Sequence, residues 1–408
     1  MKYILLITEM VLLIFGIRRA RKDRDLFNPY FIFSCPLLIS LLINLLYYDN
    51  KYEIKSSTYF IYFISVVALS LGFAIGSNLN VVLSVRKGNE CKQTVYKALW
   101  YFAFISVFFA IGQIIAGARF GIYGNNYINN IRYYSQYVQE GNFFATYGKV
   151  AADTLMIYLM YRYYICGDRS RRTKKAMIFA IILYIVYVLE VFNRTELMYF
   201  LCLFGFFFTK KNREVSKKRK KQTVYIIIAA LLMVIAFNYI AVQTNKESIG
   251  VNNDPWLIFY FGSEFYWLQR FALSVNFHTY GAFSLSIFSR LLRLIGVFNT
   301  ENLSYYSSLL RSYGNPVSSF VYAPYLDFGY FGFFILLVFG IYYGWLYRSH
   351  KVIGGIWTMI YATCVYQIVI TFYSYQLGLT SQVYSMILLF LLIQPSTIEG
   401  LDQKIYRQ

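Results

Sequence analysis

The sequence predicts an all-α fold: a polytopic transmembrane bundle of about eleven helices, N-terminus outside and C-terminus cytoplasmic, with a long, partly helical outer loop. Three observations carry this reading. Of the 408 residues, 58% are hydrophobic and only 14% charged, far below the roughly one-quarter charged fraction of soluble domains. The apolar residues gather into runs close to the roughly 20 residues that cross a bilayer as helix. The segments between those runs alternate between strongly basic and nearly neutral, the pattern that fixes orientation by the positive-inside rule.

The runs lie at about 3–17, 29–48, 59–80, 98–118, 149–166, 176–192, 195–209, 223–242, 328–347, 352–373 and 380–394. They make one membrane-embedded domain over 1–408, with a large outer loop at 243–327. The run 3–17 reads as the first membrane helix and not as a cleaved leader. Its basic cluster follows the apolar stretch, and no small-x-small cleavage site is present. Arg18, Arg19, Arg21, Lys22 and Arg24 place the next loop in the cytoplasm. The loops at 84–97, 167–175, 210–222 and 348–351 and the C-terminal tail are basic as well. The cytoplasmic side then holds 27 of the 39 Lys and Arg. The net charge of +20 therefore records topology, and no nucleic-acid partner is expected.

Cysteine and histidine usage excludes further classes. The five cysteines show no CxxC spacing, which speaks against disulfides and structural zinc. Two histidines, His278 and His350, exclude a histidine-rich metal site. Walker A, GxSxG and HExxH motifs are absent, as is an Asp-x-Asp pair on an outer loop. No cofactor and no metal are expected.

Two outer loops are long, 119–148 and 243–327, and loops of that length are usually functional. Within the second, Ser286–Phe298 sets Ile287, Phe288, Leu291, Leu292 and Ile295 on one helical face and Arg290 and Arg293 on another. That pattern suits a helix in the membrane interface or a core-facing helix of a small cap. The sixth and seventh runs form a short hairpin, too short for two full crossings, with Glu190, Arg194 and Glu196 at its tip. Glu190 and Arg194, four apart, would pair on one helix face. Charge at that depth faces a polar cavity or another charge.

Seven arginines lie on the predicted outer side: Arg119, Arg132, Arg194, Arg270, Arg290, Arg293 and Arg311. Their planar forks bind phosphate bidentately and point to an anionic ligand, although a single interfacial arginine more often snorkels. Candidate bases on that side are Asp153, Asp254, Glu264, His278, Glu301 and Asp327. Glu264 and His278 are preferred because they flank Arg270. Tyr266, Trp256 and Trp267 would either stack on sugar faces or anchor at the interface.

Three stretches resemble the Wzy family of oligosaccharide repeat-unit polymerases of O-antigen and capsule. They are the hairpin tip Asn193-Arg194-Thr195, the long late outer loop, and its exit Asn315-Pro-Val-Ser-Ser-Phe-Val-Tyr-Ala-Pro-Tyr-Leu-Asp327-Phe-Gly329-Tyr-Phe-Gly332. The resemblance implies an enzyme of a bacterial cytoplasmic (inner) membrane, acting at its outer or periplasmic face. Such an enzyme passes a growing glycan from undecaprenyl diphosphate to a sugar hydroxyl of an incoming undecaprenyl-diphosphate-linked repeat unit. Partners would be that lipid-linked oligosaccharide, the bilayer, and the chain-length regulator and flippase of the same pathway. Glu264 and His278 are then the catalytic candidates, and Arg119, Arg194, Arg270, Arg290, Arg293 and Arg311 would hold diphosphate or glycan. An O-antigen ligase of the same superfamily is the nearest alternative. A lipid-linked oligosaccharide flippase is the alternative from another class, and it predicts charge spread along several helices and two similar halves.

Overall fold

A computed structural model describes residues 1–79, 91–138, 143–191, 194–210, 248–249, 254–270, 273, 278–281, 283–285, 319–375, 377 and 380–393. The regular elements among the described residues are helices, apart from one two-residue pairing, Ser248–Ile249 against Asp254–Pro255, and an isolated bridge between Cys91 and Ile393. Among the described residues, four helices are long and apolar enough to cross a membrane: Pro29–Tyr52, Ser56–Asn78, Gln93–Arg119 and Tyr322–Val352. Shorter apolar helices cover Ile356–Phe372 and Ser381–Leu392. The predicted run 223–242 and the amphipathic segment 286–298 lie outside the described residues.

Several helices outrun the apolar runs that predict them. The helix containing 3–17 spans Lys2–Asp23 and carries Arg21 and Lys22 in its last turn. Arginine and lysine are good helix formers and favour the negative end of the helix dipole, so the basic flank continues the helix. The predicted outer loop 119–148 is largely helical. Tyr127–Tyr133 is capped by the Asn126 side chain, which accepts from Asn129 N, and Phe143–Tyr164 begins inside that range.

The chain divides into two compact units. The first comprises Met1–Leu79, Glu247–Arg348 and Cys364–Thr380. In it, helix Lys2–Asp23 packs on the start of Pro29–Tyr52, and Asn28 caps the latter by accepting from Tyr30 N at 3.1 Å. The helix winds into a π turn at Asn44–Tyr48. Helix Ser56–Asn78 meets the 332–348 stretch along two matched glycine pairs. A Cβ on Gly76 would sit 2.0 Å from Ile341 O, on Gly72 2.5 Å from Leu337 O, and on Gly340 2.4 Å from Leu69 O. Gly72/Gly76 and Gly340/Gly344 are both small-xxx-small motifs, which let backbones touch where lipid supplies no hydrophobic drive.

The second unit comprises Asn80–Lys246, Ser349–Thr363 and Ser381–Gln408. Helices Gln93–Arg119, Phe143–Tyr164 and Arg171–Val191 pack pairwise, and Arg194–Lys210 lies against Phe143–Tyr164. One helix ends at Val191 and the next begins at Arg194, and the Tyr184 hydroxyl reaches back to Glu196 at 3.0 Å. The second helix thus folds back beside the first. Glu190 and Arg194 stand on different helices and so do not share the one helix face expected of them.

Candidate functional site

The long loop of the first unit brings two of the sequence candidates into defined settings, and the settings differ. Helix Trp256–Gly262 docks on helix 29–52: Asn44 Nδ2, in the π turn, donates to Gly262 O at 2.9 Å. A Cβ on Gly262 would meet Ile43 at 2.7 Å and Tyr48 at 3.0 Å, so glycine is what allows the approach. The next helix, Glu264–Arg270, is tied by Gln269 Oε1, which accepts from Lys55 N at 2.6 Å. Phe265 stacks on Tyr62, with centroids 4.0 Å apart. Around it the Tyr59 hydroxyl lies 2.9 Å from both Asn44 Oδ1 and Asp49 Oδ1, and Lys2 pairs with Asp49 at 2.7 Å.

This docking turns Glu264 inward. It is fully buried, Ser40 Oγ donates to its Oε1, and its Oε2 finds no partner among the described residues. Burial pushes the Glu264 carboxyl well above its ordinary range, and the charge of Glu9 adds to the rise, against the Ser40 hydrogen bond. A carboxyl raised in the folded state and normal in the unfolded one weakens the fold as pH climbs from about 4.5 toward the folded value. Stability is therefore expected to fall over that rise. Glu264→Gln, which keeps the Ser40 contact, should flatten the dependence in thermal-unfolding curves across pH.

The same packing corrects the expected role of two aromatics. Tyr266 is 7% and Trp267 3% exposed. Tyr266 packs at a tilt against Tyr52, with centroids 4.4 Å apart, and meets Trp267 at 5.1 Å, so neither ring offers a face to a sugar. Arg270 is exposed at the end of the helix, donates to the Tyr266 hydroxyl at 2.6 Å and stands 5.8 Å from that ring's centroid.

His278 is exposed, and its setting is built by Asp327. Asp327, buried on helix Tyr322–Phe328, accepts from Thr279 Oγ1, Ser284 N at 2.6 Å, Ser284 Oγ at 2.5 Å and Phe283 N at 3.2 Å. Tyr280 N donates to Asp327 O at 3.1 Å, and the Tyr375 hydroxyl donates to Ser284 O at 2.7 Å. The turn 278–285 is thereby clamped to the helix. His278 Nδ1 lies 3.2 Å from Leu326 O. A carbonyl only accepts, so Nδ1 carries the hydrogen, and in the neutral ring the lone pair is then on Nε2. Gly329, at φ +58°, makes room for the ring: a Cβ there would lie 2.9 Å from His278 Cε1.

Asp327 is thus a clamp and not a base, since its oxygens are filled by donors. The sequence carried the signal in the loop exit Asp327-Phe-Gly329, but the residues that Asp327 holds lie more than 40 positions away. Asp327→Asn replaces an acceptor oxygen with an NH2 facing donors and should destabilise the turn by about 2–4 kcal/mol. Hydrogen exchange at Phe283 and Ser284 should lose protection selectively.

The remaining arginines are distributed otherwise. Arg119 is exposed in the last turn of helix Gln93–Arg119, where the helix dipole favours a cation. Arg194 opens helix Arg194–Lys210, and its side chain is outside the described residues. Arg290, Arg293 and Arg311 lie outside the described residues altogether.

The second unit gathers Asp153, one of the candidate bases, and Glu196, from the hairpin tip, into a polar cluster with Lys149, a grouping that the sequence alone does not make. Lys149 pairs with Glu196 at 2.5 Å, and Asp153, 5% exposed, accepts from Tyr199 at 3.1 Å and from Ser385 at 2.7 Å. Among the described residues, no group of three His, Cys, Asp or Glu is placed to hold a metal ion.

Comparison of the chain with protein-family models, with curated proteins and with solved structures finds no match.

Proposed function

We propose that the chain is a multi-pass glycosyltransferase of the Wzy type, crossing a bacterial cytoplasmic membrane about eleven times, N-terminus outside and C-terminus cytoplasmic. It polymerises lipid-linked repeat units at the outer face. The bond from the anomeric carbon to the lipid diphosphate breaks, and a bond from that carbon to the acceptor hydroxyl oxygen forms. The hydroxyl proton passes to a base, and undecaprenyl diphosphate leaves.

The observation that carries this reading is His278. It is exposed, its tautomer is set by the Leu326 carbonyl, and its Nε2 is free to accept a proton. Exposed Arg270, on the preceding helix of the same loop, supplies positive charge for a diphosphate. The buried Glu264 fits a structural role better than that of a base. Arg194, at the hairpin reversal, is assigned to the donor diphosphate on the sequence argument.

Purified chain reconstituted with lipid-linked repeat units is expected to build polymer. Arg194→Ala should slow it about a hundredfold, as loss of one anion-stabilising donor does, and Arg194→Lys should recover only part, since an ammonium lacks the bidentate fork. Normal polymerisation by an inserted Arg194→Ala chain would remove the assignment. A strain lacking the chain should display single-repeat surface glycan; glycan missing from its acceptor would point to the ligase.

The flippase reading gains support from one observation, the half-buried Lys149–Glu196 pair between helices with buried Asp153 beside it. Translocation of lipid-linked oligosaccharide by the reconstituted chain, without polymer, would favour it.

A further inference from the structure

Among the described side chains, the cluster in the second unit does not balance its charge. Four groups that ionise in water, Lys149, Asp153, Glu190 and Glu196, stand on three helices: Phe143–Tyr164, Arg171–Val191 and Arg194–Lys210. Glu196 takes the ammonium of Lys149 at 2.5 Å and the hydroxyl of Tyr184 at 3.0 Å. That ion pair is internally neutral. Glu190 is 8% exposed and feels Lys149 only at longer range. Asp153 is 5% exposed; its Oδ2 accepts from Tyr199 on the third helix and from Ser385 on helix Thr380–Leu392. Its Oδ1 is buried without a partner among the described residues. Tyr187, facing Glu190 from the same helix, spends its hydroxyl on Ala103 O at 2.8 Å.

Among the described side chains the cluster therefore holds two carboxyls more than its one ammonium can match. An isolated carboxylate in an apolar interior costs several kcal/mol, and ionisable groups at such depth mark ion or proton pathways. A metal ion would need several ligands converging on it, and among the described residues no group of three His, Cys, Asp or Glu is so placed. We propose that Asp153 is a proton-binding site, its proton carried on the Oδ1 side, with the Lys149–Glu196 pair, Tyr184, Tyr199, Glu190 and Ser385 as its surroundings. The site is independent of the polymerisation chemistry, which assigns nothing to these residues.

The test uses the full chain, purified and held in a lipid nanodisc, and the infrared difference spectrum between about pH 5 and pH 9, a window that opens above ordinary carboxyl titration. The expected result is a carboxylic C=O band that disappears in Asp153→Asn and survives in Glu9→Gln and Glu264→Gln. Ser385→Ala and Tyr199→Phe, which each remove one hydrogen bond and leave the carboxyl in place, should shift the band's frequency. These two variants carry the test should Asp153→Asn fail to fold. A band unmoved by both, or one that persists in a folded Asp153→Asn chain, overturns the proposal. So does stabilisation by sodium at fixed pH that Asp153→Asn abolishes, because the occupant would then be a metal cation.

Discussion

Gly76→Leu should prevent the first unit from folding. A Cβ at Gly76 would lie 2.0 Å from the Ile341 carbonyl oxygen and 2.8 Å from Trp345 N. Both are helix backbone, so no side-chain rotation relieves the clash. From the opposite helix, a Cβ on Gly344 would meet the Phe73 carbonyl oxygen at 2.5 Å, so the whole crossing would have to open. Overpacking of a flexible interior costs about 1–3 kcal/mol. Here the helices must part, the close contacts along the crossing are lost together, and the cost should reach at least the top of that range. Nothing hydrophobic compensates, because separated helices find lipid tails as apolar as each other. The predicted readout is a chain that inserts but extracts into detergent as aggregate, or that melts well below wild type. Gly344→Leu should behave alike. Gly112→Leu is the control, since a Cβ there meets nothing within 4 Å and leucine is the better helix former. Equal behaviour of Gly76→Leu and Gly112→Leu would mean that the glycine crossing does not hold the unit together.

The glycine motifs show what the sequence makes legible. Gly72-x-x-x-Gly76 and Gly340-x-x-x-Gly344 are plain in the letters, but a motif says nothing of its partner until two helices are known to cross. Apolar runs placed most described helices correctly, because the length needed to cross a bilayer is a strong constraint. They misplaced ends where charged residues continue a helix, as at Arg18–Asp23. Asp153, Glu190 and Glu196 are marked one by one in the sequence, but nothing in their order along the chain puts them together with Lys149. Only the folding back of helix Arg194–Lys210 and the approach of Ser385 gather them. Glu264 was legible as a candidate but not as a buried one, since its inward turn depends on Gly262 seating against Ile43 and Tyr48. His278 shows the converse: the letters mark a lone histidine in a loop, and the clamp that displays it is made by residues about fifty positions later.

His278→Ala should lower polymerisation by about 10²–10⁴-fold, the usual contribution of a positioned general base. The fold should be little changed, because the residue is exposed and makes one side-chain hydrogen bond, to Leu326 O. That bond sets the roles of the two ring nitrogens, so the substitution series discriminates between mechanisms. His278→Asn can imitate the Nδ1–H donor but offers no basic nitrogen where Nε2 stands. It should be as inactive as alanine while preserving the hydrogen-exchange protection of Phe283 and Ser284. A merely structural histidine would give the opposite result, with asparagine restoring activity along with the hydrogen bond. Gly329→Ala tests the positioning separately. Its Cβ would press on His278 Cε1 at 2.9 Å, from a backbone conformation at φ +58° that alanine rarely adopts. Activity should drop with the imidazole displaced, and more in kcat than in KM, because a displaced base binds substrate but fails to take its proton. Full activity in His278→Ala would remove the base from this residue, and with it the observation on which the polymerase reading chiefly stands.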